Sequence, residues 1–422
     1  MIETTPPVVK WWRQLLQGWQ DLDWLLLLLP VGLVIFGSVV IGSTQRNLGE
    51  PEFAVNHLIT GAVGLVLALW IARMRYEYLL SWRWIIYGLV NVSLLAVIFI
   101  GTVGLGAQRW ITIGGFNVQP SEFAKLGMII TLAAMLSDRD ASTLPSMARS
   151  LAVTAVPWAL VFIQPDLGTS LVFGAITIGM LYWANVNPGW LVLMVSPLVA
   201  AILYHLTLPG WLIWSLLMGV TAWFTLPWRL FSTVLATAIT LISGKLGDLF
   251  WGLLQDYQKD RLVLFLDPDK DPLGGGYHLI QARIGIGAGR LWGQGLGEGS
   301  QTQGNFIPEQ HTDFIFSAIG EEWGFIGAMV TLAVFWLICL RLVLIAQNAK
   351  DNFGSLLAVG VLAMLVFQVG VNVGMTIGLA PVTGIPLPWL SYGRSAMLTN
   401  FIALGVVESV AKYRYRLRFT DS

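Results

Sequence analysis

The stretch "DWLLLLLPVGLVIFGSVVIGS", residues 23–43, has one acid at its start and no other charged residue. As a helix it is long enough to cross the roughly 30 Å hydrocarbon layer of a bilayer. Similar runs recur along the chain, and they leave few folds open. Inside lipid every backbone polar group must be bonded internally, so only helices and closed barrels span it. Barrel strands alternate apolar and polar residues, whereas these runs are continuous. The chain is therefore expected to be an all-α polytopic integral membrane protein, one domain over residues 1–422. Composition agrees: 56% of the 422 residues are hydrophobic and 11% are charged, against about 25% charged in a typical soluble domain.

Twelve spans are predicted, at 24–43, 57–73, 85–104, 122–137, 150–164, 169–185, 190–207, 210–226, 229–247, 314–341, 355–377 and 396–411. The tenth is longer than one crossing needs, so its first turns are expected in a protein-lined cavity. Lys10, Arg13, Arg73, Arg75, Arg83, Arg139, Arg149, Arg229, Arg341, Lys350, Lys412, Arg414, Arg416 and Arg418 all fall on one side of this arrangement. The positive-inside rule makes that side cytoplasmic, with both termini there. The outer stretches are then 44–56, 105–121, 165–168, 208–209, the long 248–313 loop and 378–395. No cleavable signal peptide is expected, because the first 22 residues lack an apolar core and a small-residue cleavage site.

Several function classes are excluded at this stage. Net charge is zero, which offers nucleic acid no attraction. The cytoplasmic loops are short and carry no GxxxxGK[ST] motif, so a nucleotide-driven enzyme working from inside does not fit. The single cysteine, Cys339, lies within an apolar run and reads as a small buried hydrophobe.

Polar chemistry collects on the outer side. In "LDPDKDPLGGGYH", residues 266–278, Asp267, Asp269 and Asp271 have the spacing of a calcium loop. An EF-hand needs glycine at position 6 and glutamate at position 12; Pro272 and His278 stand there instead. Asp267 and Asp271 each precede a proline, which biases them toward extended backbone. Asp269 is free of that constraint, and Lys270 beside it can partly neutralise it. Gly274, Gly275 and Gly276 allow close approach of a bulky or anionic ligand. The plainer alternative is a solvated acidic loop. Beyond it, Leu279, Ile280, Ile284 and Ile286 predict a short helix lying on the membrane surface. Glu309, His311 and Asp313 alternate, whereas helical metal pairs use i, i+3 or i+4 spacing; they are read as anchors of the loop.

Three further clusters share that side. In "GAQRWITIGGFNVQPSEFAKLG", Ser121 is expected to cap a helix starting at Glu122, with Pro120 before it. Glu122 and Lys125 then lie one turn apart, either as a mutual ion pair or as a charged wall of a wet cavity. Arg109 and Trp110 add a cation and a flat apolar surface. Asp166 in "QPDLGTS" is explained by turn formation alone. The stretch "GLAPVTGIPLPWLSYGRSAM" is non-helical at membrane depth, as cavity-lining backbone can be, and carries Ser391 and Arg394.

Together "GAQRWI", "QPSEFAK", "QPDLGTS", "DPLGGGYHLIQ", "PEQHTDFIF", "EEWG" and "GIPLPWLSYG" resemble the SEDS family (FtsW, RodA, SpoVE) of membrane peptidoglycan glycosyltransferases. The likeness runs in family order over nearly the whole chain, and "GSQTQGNFIPEQHTDFIFS" is closer to the elongation branch than to the division branch. The resemblance implies polymerisation of lipid II on the outer leaflet of the cytoplasmic membrane, within the elongation machinery, with a class B penicillin-binding protein as transpeptidase partner. It makes Asp271 the essential acid and gives weight to Glu122, Lys125, Arg109 and Trp110. It also implies a ten-span core, which leaves 186–226 as an inserted hydrophobic hairpin and 248–313 as the catalytic loop.

The chemistry expected is an inverting transfer with Asp271 as general base. Arg109, Lys125, Arg394, backbone amides by the glycines or a divalent cation (Mg or Mn) would stabilise the leaving diphosphate; no organic cofactor is needed. Glu122 would orient Lys125 or bind the cation. The rival reading is a lipid II flippase or transporter, which would place its charges near the midplane and often show inverted repeats. Here the charges cluster at the outer rim.

Overall fold

A computed structural model describes residues 22–104, 107–114, 116–138, 143–253, 255–272 and 276–414. Lys10, Arg13, Arg139, Arg416, Arg418, Gly274 and Gly275 lie outside the described residues.

The helices follow the apolar runs. They are α1 (Trp24–Thr44), α2 (Glu52–Ile71), α3 (Glu77–Ile100), α4 (Pro120–Asp138), α5 (Leu144–Ile163), α6 (Leu167–Trp183), α7 (Pro188–Leu206), α8 (Leu208–Thr225) and α9 (Arg229–Leu253). Then come α10 (Asp256–Leu266), α11 (Tyr277–Gly289), the short α12 (Ser300–Gln303), α13 (Ile315–Glu322), α14 (Gly324–Gln347), α15 (Asn352–Ile377) and α16 (Arg394–Tyr413). Among the described residues, nine of these are long and apolar enough to cross a membrane. The others at span length are the shorter apolar α6 and two helices that carry buried charge, α4 and α16. Each expected span is therefore matched by a helix, except the tenth, which two helices share.

Burial separates a centre from a lipid-facing shell. On α4 nearly every side chain is buried, as on α16; a helix buried all round belongs in the middle of a bundle. α4 packs against α3, α6, α15 and α16. The outside is ringed by exposed apolar residues such as Leu89, Phe99, Phe224 and Phe231, which fits hydrocarbon as the solvent. α9 packs against both α7 and α8, and these helices share a small core at Ala222, Leu226 and Ala236.

Three expectations are corrected. The fold is not purely helical: β1 (Thr102–Gly104), β2 (Ala107–Ile113) and β3 (Phe116–Val118) form an antiparallel sheet in the order β1-β2-β3. α3 stops at Ile100, and the residues read as its end are strand. The Ile113↔Phe116 pairing leaves a two-residue connection, with Gly114 at φ +57°, the left-handed backbone that tight hairpins require. Second, the tenth span is broken. α13 is buried along its whole length, as its expected place in a protein-lined cavity implied, and α14 restarts at Gly324, φ +67°. A Cβ there would lie 2.3 Å from the Gly293 amide nitrogen. Third, α11 does form after the acidic loop, but its buried stripe is Leu279, Ala282, Gly285 and Gly289, facing α13 and α15, while Ile284 is exposed. Small residues win that face because α13 comes too close for larger ones.

Four of the cations that the charge count placed on one side make contacts that join neighbouring helix ends. Arg75 and Lys350 both reach Glu77, at 3.0 and 3.6 Å. Arg341 pairs with Asp23, and the Tyr413 hydroxyl donates to the Arg73 carbonyl at 2.9 Å.

Candidate active site

The opposite end carries the sheet, the breaks and the buried charges. α4 begins at Pro120, where a missing N–H costs nothing, so the helix starts earlier than expected and Ser121 is not its cap. Instead the Ser121 hydroxyl accepts from the Gln119 side chain at 3.2 Å. One turn in, Lys125 Nζ meets Glu122 Oε2 at 2.8 Å, with both side chains under 5% exposed. The pair is at once a mutual ion pair and a charged element of the interior.

The sheet ties this turn to its neighbours. The Gln119 amide donates to Ser395 Oγ at 3.0 Å, and Ser395 in turn donates to the Asn117 carbonyl at 3.4 Å. This docks β3 against the start of α16. There Arg394 donates to the Tyr392 hydroxyl at 3.1 Å and lies over the Phe116 ring, 5.3 Å from its centroid. On the other flank the Gln119 side chain reaches Asp166 Oδ2 at 3.3 Å. Asp166 caps α6 by accepting from Thr169 N and Oγ1 at 3.2 and 2.9 Å. It is only 4% exposed and also lies 3.9 Å from the Arg109 guanidinium. Turn formation is thus only part of its role; the sequence alone could not show which cation would face it.

Arg109 donates to the Pro165 carbonyl, which also accepts from Gln258 on α10 at 3.4 Å. Neighbouring strand residues point to opposite faces, so Trp110 does not share the wall Arg109 makes with Asp166. A further residue, Arg261 on α10, escaped the sequence reading. It lies within electrostatic reach of Asp313, as does Arg109. Burial pushes the Asp313 carboxyl up to about 6, Glu309 adds to this, and the two arginines oppose it. Gly384, φ +74°, leaves room for this contact: a Cβ there would be 3.4 Å from Asp313 Oδ2. The expected anchoring of the loop is present in backbone bonds. Asn372 donates to the Asp313 and Ile385 carbonyls at 2.9 and 2.8 Å, and the Tyr392 amide donates to the His311 carbonyl at 2.9 Å.

The acidic loop follows α10 directly, so Gln258 and Arg261 tether it to this cluster. Asp267 (φ −146°, ψ 82°) and Asp271 (φ −143°, ψ 72°) share one non-helical conformation, short of the ψ of about +120° to +160° expected before proline. Lys270 pairs with Asp267 at 3.9 Å. Asp271 is exposed, and its carbonyl accepts from the Gly276 amide at 3.0 Å. A Cβ on Gly276 would sit 2.3 Å from the Pro268 carbonyl oxygen and 2.8 Å from that of Asp271. Gly276 is therefore required by the turn itself. Among the described residues no three His, Cys, Asp or Glu side chains are placed to hold a metal ion, so the residues present do not form a protein-built cation cage.

At one end of a lipid-facing bundle, then, Arg109, Lys125, Arg261 and Arg394 lie among the carboxylates Glu122, Asp166 and Asp313, and Asp271 lies on the loop that follows Arg261's helix. Comparisons with known proteins identify the family of the chain. The FtsW/RodA/SpoVE cell cycle protein model matches residues 20–218 and 209–416. The peptidoglycan glycosyltransferase MrdB of Escherichia coli (strain K12) is 33% identical over 398 residues, covering 94% of this chain and 95% of the relative. The peptidoglycan glycosyltransferase RodA of Treponema pallidum is 33% identical, covering 94% and 98%. Among solved structures, a peptidoglycan synthase complex that coordinates polymerization and crosslinking superposes with a TM-score of 0.71 at 29% identity, covering 94% of this chain and 99% of that one. The rod shape determining protein RodA of Thermus thermophilus gives 0.62 at 26% identity, covering 94% and 98%. A family model spanning almost the entire chain, with relatives and solved structures covering it end to end, makes this chain a member of the SEDS family, that of FtsW, RodA and SpoVE.

Proposed function

We infer that the chain is a peptidoglycan glycosyltransferase of the elongation type, joining lipid II units into glycan strands. The single observation that carries the mechanism is the cation-rich cluster of Arg109, Lys125 and Arg394 beside the Asp271 loop at one end of a lipid-facing bundle. A lipid-linked disaccharide diphosphate needs this combination: hydrocarbon for its tail, fixed cations for its diphosphate and a carboxylate for its acceptor. In this reading that end faces outward from the cytoplasmic membrane, and both termini are cytoplasmic.

Asp271 takes the proton from the acceptor sugar hydroxyl as general base. The freed oxygen bonds to the donor's anomeric carbon from the face opposite the lipid diphosphate. The anomeric C–O bond breaks, and the diphosphate leaves with the electron pair. The reaction inverts the donor's anomeric centre. Arg109 is held by Asp166 and Pro165, and Lys125 by Glu122, so both cations are oriented before the charge develops, which is what makes such stabilisation effective. Arg394 is held by Tyr392 and Phe116 in the same way. A divalent cation, if used, would have to share oxygens with the substrate, and no step here is routed through one. The polymer then needs crosslinking, and we assign that step to a class B penicillin-binding protein bound to this chain. The likeness to a complex that coordinates polymerization and crosslinking supports this.

The test is Asp271→Asn in purified protein reconstituted in lipid. Glycan polymerisation from lipid II is expected to fall at least a hundredfold, the scale of a general base, with thermal unfolding unchanged because the side chain is exposed. Retained polymerisation would remove Asp271 from the mechanism.

A further inference from the structure

α2 turns Ile59, Val63 and Val66 outward, as a lipid-facing helix should, yet on its inner face it buries a histidine. His57 is 2% exposed. A polar ring in an apolar bundle is costly unless its N–H is used. Here it is used: the imidazole donates to the Trp389 backbone carbonyl. No step of the reaction derived above needs this histidine, so its acceptor is the clue to its role.

Trp389 is buried and sits at φ +60°, a left-handed backbone that bulky residues rarely adopt. The turn around it is closed on itself. The Leu390 and Ser391 amides donate to the Leu387 carbonyl at 3.2 and 3.0 Å, and Ser391 Oγ accepts from the Leu387 amide at 2.8 Å. These bonds shape the turn without aiming it. Two helices supply the aim. On α1, Gly37 lets the turn come close, since a Cβ there would lie 2.7 Å from the Leu390 carbonyl oxygen. On α2, His57 holds the next carbonyl back, that of Trp389. Strained backbone of this kind persists where its surroundings over-determine it, and it gathers at functional sites.

Five residues beyond Trp389 the chain reaches Arg394, which donates to the Tyr392 hydroxyl at 3.1 Å. His57, Thr60, Tyr392, Gly393, Arg394 and Met397 line one crevice with no room for water. His57 therefore backs the segment that carries the arginine. One turn earlier on α2, the Phe53 ring packs on that of Tyr392 at 4.8 Å. α2 thus supports both the strained turn and the tyrosine that holds the guanidinium. We propose that His57 is a positioning residue for Arg394: its imidazole N–H fixes the Trp389 turn, and the turn aims the guanidinium at the substrate diphosphate. The proposal rests on the polymerase reading above.

Binding of undecaprenyl diphosphate to the full chain reconstituted in lipid tests this. Arg394→Ala is expected to weaken it about tenfold, the scale of one charge-assisted bond. His57→Leu and His57→Phe fill the space without a donor and are expected to weaken it to a similar extent; either one, once shown to fold, is enough. His57→Gln keeps an N–H donor and should recover most of the loss. The decisive variant combines the donorless substitution with Arg394→Ala. A residue that acts only through Arg394 adds nothing there, so binding should stay at the Arg394→Ala level. A histidine that serves packing alone gives a different result: unchanged binding in the single variants, a loss that Gln does not recover, or losses that multiply to about a hundredfold. Any of these overturns the proposal. Lipid II polymerisation, followed in the same samples, keeps the two readings apart. If the binding pattern holds and wild type makes no glycan, the polymerase reading fails and His57 keeps its role. If wild type polymerises and the His57 variants bind and polymerise like it, only the inference about His57 fails.

Discussion

Asp313 shows how much a single residue depends on its surroundings. Its carboxyl is raised from 3.8 to about 6, chiefly by burial, with Glu309 adding and Arg261 and Arg109 opposing. A raised acid favours the protonated form in the folded state. Its contribution to stability is therefore fully present below pH 3.8 and is lost as pH rises through about 6, with a ceiling of about 3 kcal/mol. Between pH 4 and pH 7 the wild-type melting temperature should fall relative to that of Asp313→Asn. A difference that stays flat across that window would mean the carboxyl titrates normally. In sequence, Asp313 was legible only as an anchor of its loop, because the arginines that face it come from residues 109 and 261. Asp271 was more legible, because proline after it restricts its own backbone, a local effect that needs no partner.

At the scale of elements, α4 carries the sharpest test. Glu122 and Lys125 are buried together, and a buried pair broken on one side costs about 3–5 kcal/mol, because the survivor keeps its desolvation penalty. Lys125→Met is expected to lower thermal stability by that amount. The Glu122→Gln, Lys125→Met double variant should recover most of the stability and yet fail to polymerise lipid II, since the cation is gone. Recovery of both would reduce the pair to a structural contact. The spans themselves were legible because apolar length is a property of each segment alone. The small sheet was not: its strands are short, and their pairing is set by how residues 102–118 close over the start of α4. The buried face of α11 was not legible either, since its apolar residues read as a helix lying on the membrane surface. The nearness of α13 makes Gly289 a contact, since a Cβ there would lie 1.9 Å from the Gly320 carbonyl oxygen.

Over the whole molecule, the end opposite the proposed site is held by a clasp joining distant parts of the chain. Arg341 on α14 donates to Asp23 from Nε at 3.0 Å, and the Asp23 amide donates to Glu408 on α16 at 3.0 Å. Asp23 also caps α1 through the Leu26 amide at 3.2 Å. Arg341→Ala is expected to lower unfolding stability by about 1.5–3 kcal/mol, the worth of a charged hydrogen bond, with polymerisation at low temperature little changed. Loss of activity without loss of stability would instead couple this clasp to the site. The sequence by itself determined the lipid-spanning class, the number of long helices, the end at which polar chemistry gathers and the family. Each follows from segment length, charge count or local motif, which need no knowledge of neighbours. The tertiary structure decided which charges meet: Arg109 with Asp166, Arg261 with Asp313, and Asp23 with Arg341. The partners in the three charge pairs are separated by tens to hundreds of residues, and electrostatic and hydrogen-bond energies fall off over a few ångströms of space, whatever the distance along the chain.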